Sequence, residues 1–187
     1  SQWAISGLSL AGVLSPSGSF AQTKPNSIVA GIPVGVMVPN SLQGVPNDLT
    51  AYRDAMLKIG LSACETHEGP WEKALGAPSV GPPGAANAPL TPIQQQDRRA
   101  AVTALANWRR AVPMSRFSEA RKIWIDAGIQ PYAFKIPITL EMSDAECDYA
   151  FNVARALGVT HLTMEMDDNP KVTQRVGDFG RKHNMKV

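Results

Sequence analysis

IQPYAFKIPITLEMSDAECDYAFNVARALGVTHLTMEMDDNPKVTQRVGDFGRKHNMKV, residues 129–187, is the stretch whose reading decides the fold class. Its opening, IQPYAFKIPIT, is apolar and rich in residues that favour strands. Ser143, Asp144, Ala145 and Glu146 then form a capping box, in which the Ser oxygen and the Glu carboxylate satisfy free N–H groups at a helix start. Cys147, Ala150, Phe151, Ala154 and Leu157 recur at helical spacing, and Gly158 stands where a left-handed C-cap favours glycine. VTHLTMEM reads as the next strand. Asp167, Asp168, Asn169 and Pro170 start another helix, with Asn169 as its cap and proline at the first helical position. Val172, Val176 and Phe179 are its apolar stripe, Asn184 ends it, and Met185, Lys186 and Val187 open a further strand. Strands alternating with helices at this spacing predict right-handed βαβ crossovers and a parallel sheet.

Working towards the N-terminus, the same alternation continues. Gly128 closes a helix in which Phe117, Ala120, Ile123, Trp124 and Ala127 face inward, with Ser115 as its cap candidate. Ile93 to Val112 is a helix with Ala101, Leu105, Trp108 and Val112 on one side, while Arg98, Arg99, Arg109 and Arg110 lie largely off that stripe. Residues 69–92 are rich in Gly, Pro and Ala and predict an irregular insertion. LSACETH is a strand, preceded by a helix that Asn47 and Asp48 cap and Gly60 ends. Ser27 to Val38 is the first strand, apolar throughout as a parallel strand covered on both faces should be, with a bend or an end near Pro33. The expected fold class is therefore α/β: four β/α units plus the start of a fifth strand, the front half of a (β/α)8 barrel. A complete small open sheet is the alternative, but VPNSLQGVPND after the first strand offers no convincing phosphate loop.

Residues 1–22 do not read as part of that fold, and the barrel portion is taken as 23–187. AISGLSLAGVL has the length of a signal-peptide core, and Ser19, Phe20 and Ala21 resemble a cleavage site. The expectation is an export leader of twin-arginine type without its charged front, and a periplasmic or extracellular protein. Composition narrows the function classes. A net charge of +2 and a pI near 8.6 lack the one-sided basicity of a nucleic-acid binder. Cys64 and Cys147 are the two cysteines and read as small core residues. No GxGxxG, GxxxxGK[ST], GxSxG or HExxH occurs.

Ligands of parallel α/β sheets meet the carboxyl ends of the strands. The candidates there are Glu65 and His67, which alternate onto one face of their strand, Lys135 in an otherwise apolar strand, and Glu165. Burying an unpaired lysine is expensive, which marks Lys135 for a role. Asp167 and Asp168 suit a positive helix start.

The leader, the first strand GIPVGV, the helix-to-strand run LKIGLSACETHEG, the strand GIQPYAFKIPIT and the ARALGVTHLTMEM and FGRKHNMKV runs together resemble the sugar phosphate isomerase/epimerase family, the xylose isomerase-like TIM barrels. The likeness spans roughly Ser27 to Val187, and the insertion at 69–92 is longer than the family usually carries. The resemblance implies a divalent metal (Mn²⁺, Mg²⁺, Zn²⁺ or Co²⁺) held by Glu, Asp, His and Glu on strands five to eight. It also implies proton transfer between adjacent carbons of a sugar or sugar phosphate. Those ligand positions fall beyond this stretch, so the resemblance implies a segment that is inactive by itself. It supplies only a substrate-side wall of Glu65, His67, Lys135 and Glu165. Two other readings compete: a metal-dependent, endonuclease-type hydrolase on the same barrel, and a non-catalytic extracytoplasmic carbohydrate-binding module in which Trp71 stacks on a sugar ring. Open sheet edges at either end also lead us to expect a homo-oligomer.

Overall fold

The computed structural model describes residues 24–81, 89–165 and 167–187. The leader-like residues 1–22 and the central part of the 69–92 insertion lie outside them. The described chain opens with a short antiparallel hairpin, β1 (Ile28–Val29) with β2 (Ile32–Pro33). A parallel sheet follows, made of β3 (Gly35–Val38), β4 (Ala63–His67), β5 (Gln130–Lys135) and β6 (His161–Thr163) in the order β3-β4-β5-β6. The helices are α1 (Leu49–Lys58), α2 (Glu68–Ala74), α3 (Pro92–Ala111), α4 (Met114–Asp126), α5 (Asp144–Ala156) and α6 (Pro170–His183).

The local signals act where the sequence puts them. Asp48 Oδ1 accepts from the N–H groups of Thr50 and Ala51 at 2.9 and 3.0 Å to cap α1. Ser143 and Glu146 close their capping box on α5, and Asn169 caps α6. Gly158 and Asn184 take the left-handed conformation that ends α5 and α6. Cys64 and Cys147 are buried core residues.

Strictly sequential order in a parallel sheet, with right-handed crossovers, puts every connecting helix on the same face. Burial follows that rule. Val38, Cys64, Phe134 and Leu162 join Leu49, Tyr52, Met56, Trp124, Phe151 and Leu157 in one core. The alternate residues Met37, Glu65, His67, Lys135 and Thr163 are only half-buried. The expectation of strands covered on both faces is therefore corrected: among the described residues one face carries the helices and the other does not. At the start of β3 a Cβ on Gly35 would fall 2.5 Å from the Ala63 carbonyl oxygen, so the close approach of β3 to β4 needs glycine there. A register shift after Cys64 leaves Tyr132 as the extra residue of β5. Among the described residues, the sheet continues beyond β6 as a parallel bridge from His161 to Lys186.

Several expectations need correction. Ser27 to Val38 is not one strand: the chain reverses at Ala30 and Gly31, both with positive φ, and the hairpin leaves Ile28, Val29, Ile32 and Val34 exposed before β3 begins. The insertion at 69–92 is not irregular at its start, because α2 occupies Glu68–Ala74. Trp71, read as a sugar-stacking residue, is fully buried: its ring lies 5.1 Å from that of Trp124 and its Nε1 donates to Thr66 Oγ1 at 2.8 Å. α4 starts directly after Pro113, ahead of Ser115, and Ile123 is exposed. At the end of α6, His183 stacks on Phe151 at 4.9 Å and bonds Asp148 at 2.7 Å.

Arg109, off the apolar stripe of α3, is nonetheless mostly buried. Its Nε and Nη2 donate to Glu72 Oε1 and Oε2 at 2.8 and 3.1 Å, and the Tyr149 hydroxyl donates to Glu72 Oε1 at 2.9 Å. Breaking a buried pair strands the survivor without a partner. Glu72→Ala should therefore cost about 3–5 kcal/mol in urea unfolding. Glu72→Leu combined with Arg109→Met should cost much less than the two single changes added together. A loss below about 1 kcal/mol for Glu72→Ala would show that the pair behaves as a surface one.

Candidate functional site

At the carboxyl ends of the strands a cleft of about 430 Å³ is lined by Asn40, His67, Glu68, Lys135, Thr139, Met164, Glu165 and Asp167, among others. Each polar side chain is placed by a strand end. Asn40 follows β3, His67 ends β4 and Glu68 begins α2, Lys135 ends β5, and Glu165 and Asp167 follow β6. Three of the four candidates, His67, Lys135 and Glu165, thus come together. Glu65 does not line the cleft: it sits two residues earlier on the same face of β4, where its Oε1 accepts from Thr163 Oγ1 at 3.1 Å.

Lys135 Nζ donates to Glu165 Oε1, in an unequal pair: the lysine side chain is 15% exposed and the glutamate 87%. The bond from Lys135, then its charge, holds the Glu165 carboxyl below the usual range. The strand fixes the ammonium while the carboxylate reaches in from water, so the ammonium is the fixed half and the carboxylate the displaceable one. His67 Nε2 is buried and has no hydrogen-bond partner among the described residues. A buried polar nitrogen left unpaired costs free energy that a ligand hydroxyl or carbonyl would recover. Burial is also the main reason the Glu68 carboxyl stands above its ordinary range. Sequence reading missed the support behind this group. Glu72, one turn into α2, anchors to Arg109 and Tyr149 and so fixes the helix that His67 and Glu68 begin. The one sequence signal was an acidic residue placed directly after Trp71 and three before Leu75.

The resemblance assigns its metal ligands to strands five to eight rather than to these residues, and among the described residues no group of three or more His, Cys, Asp or Glu is placed to hold an ion. What the cleft offers is hydrogen bonding, through one fixed ammonium, one neutral imidazole and several carboxylates. No helix among the described residues is long and apolar enough to cross a membrane. Comparisons with family models, with curated proteins and with solved structures found no match.

The electrostatics of His67 can be measured. Burial first, and the Lys135 ammonium second, lower its pKa from the ordinary value, against the opposing pull of Glu65 and Glu165. The unfolded chain then takes up this proton more readily than the fold. The stability tied to a neutral His67 is complete at neutral pH and falls as pH drops through the ordinary histidine range, about 6.5. Lys135→Met removes the second cause, so the His67 midpoint should move upward in an NMR titration. A midpoint that stays put or falls would contradict this placement of the ammonium.

Proposed function

We propose that these elements are the first four β/α units of a xylose isomerase-like TIM barrel, and that the protein is a sugar or sugar phosphate isomerase/epimerase working outside the cytoplasm. The observation that carries this reading is the sequential parallel sheet with its convergent cleft. Strands in the order β3-β4-β5-β6 have no switch point where the order reverses, unlike a doubly wound sheet. The half-buried face bears the polar residues that a closed barrel turns towards its interior and mouth. On this reading Lys135 and His67 orient the hydroxyl and carbonyl oxygens of an open-chain sugar, and Glu165 yields its hold on Lys135 as the sugar enters. When bound to the whole barrel, a divalent metal would polarise those oxygens. The sugar-binding module remains the second reading, without the ring-stacking Trp71 that first suggested it.

Equilibrium binding of pentoses and hexoses to the chain, followed by ligand-observed NMR, tests the reading. Binding without turnover is expected, because the described residues supply no metal-holding set. Lys135→Met should weaken it about tenfold, the loss of one hydrogen bond from a charged donor, and His67→Ala should weaken it also. Sugars that fail to bind, or that bind equally well to both variants, would overturn the assignment. Cleavage of abasic DNA by the same preparation would favour the hydrolase reading instead.

A further inference from the structure

The charges of the cleft bear directly on whether a free sugar or its phosphate ester would bind there. Phosphate sites gather ammonium or guanidinium groups and free N–H donors. Here a single lysine, Lys135, faces Glu68, Glu165 and Asp167 across the lining. Even without Glu68, two carboxylates, Glu165 and Asp167, stand against one ammonium in the lining. Glu65 adds a further carboxylate on the same face of β4, its Oε1 occupied by Thr163. The Arg109 guanidinium behind α2 is turned to Glu72, to which its Nε and Nη2 donate. Lys135 itself is already neutralised by Glu165. Uncharged groups also face the cleft: the unpartnered His67 Nε2 and the Asn40 amide. Those groups pair with hydroxyl and carbonyl oxygens, whereas a dianionic ester would have to displace one carboxylate while facing another.

We infer that the cleft selects an uncharged polyhydroxy carbonyl compound, a free sugar, over its phosphate ester, and that Glu165 enforces the choice by occupying Lys135. This rests on the assignment of the cleft as a sugar site. Glu165 is then a specificity residue: removing its charge unmasks the one ammonium able to receive a phosphate and removes one of the groups that repel it.

The experiment compares fructose and glucose with their phosphate monoesters, by titration at low salt and in high salt, on the 187-residue chain. The unaltered protein should bind the free sugars about tenfold or more tightly than the esters, since like charges brought together at a binding site disfavour association. Glu165→Gln, a change at an exposed side chain, should narrow that ratio about tenfold, with a smaller narrowing in high salt where charges are screened. Lys135→Met added to Glu165→Gln should restore much of the discrimination, which a general loosening of the cleft would not do. An unaltered protein that prefers the esters, or a Glu165→Gln ratio that does not move, would overturn the inference while leaving the sugar site standing. Failure of every sugar and every ester to bind would remove the sugar site and this inference together.

Discussion

The handedness of the βαβ crossover is the constraint on which the rest depends. A right-twisted strand feeding a right-handed helix returns to the sheet on one side only. Because β3, β4, β5 and β6 succeed one another without a reversal, that rule sends each connecting helix to the same face. The core forms there, around Trp71, Trp124, Phe134, Phe151 and Leu162, all fully or nearly fully buried. The opposite face receives every second side chain, and only there can Glu65, His67 and Lys135 keep access to water. A sheet with both faces covered would have required those positions to be apolar.

Helix α2 links the core to the cleft. Only seven residues long, it is too short to be stable alone and is held by tertiary contacts. Trp71 anchors it to Thr66 and Trp124, and Glu72 anchors it to Arg109 and Tyr149. Two successive residues thus tie one turn to both layers of the fold. His67 and Glu68 stand at the start of that turn, so their positions follow from contacts made away from the cleft. Burial and the Glu72 carboxylate also push the Tyr149 hydroxyl pKa well up, which keeps it protonated and donating.

The unequal environments of Lys135 and Glu165 give the cleft its chemical character. The lysine stem lies along a strand end and its head has little access to solvent, whereas the glutamate is almost wholly in water. An exposed carboxylate loses little on leaving such a pair, and the ammonium would lose much if left without a partner. Exchange of Glu165 for another oxygen ligand is therefore cheap, provided that the newcomer does not bring charge into an already acidic rim.

Much of this was legible in the chain itself. The capping box at Ser143, the proline and cap at Asn169, the glycine stop at Gly158 and the apolar stripes set the order of strands and helices, because those signals act within a few residues and need no distant partner. Lys135 could be singled out because an amine in an apolar strand is costly wherever that strand lies. What sequence could not settle was long-range. Trp71 and Glu72 sit in a Gly- and Pro-rich stretch that reads as loop, and only contact with Trp124, Arg109 and Tyr149 makes that turn helical and buried. Glu65 and His67 look equivalent on an alternating strand, yet Thr163 takes one and the cleft takes the other. Local periodicity determined which elements exist and which face of each is apolar; tertiary structure decided which polar groups find partners, since that depends on residues tens of positions apart meeting in space.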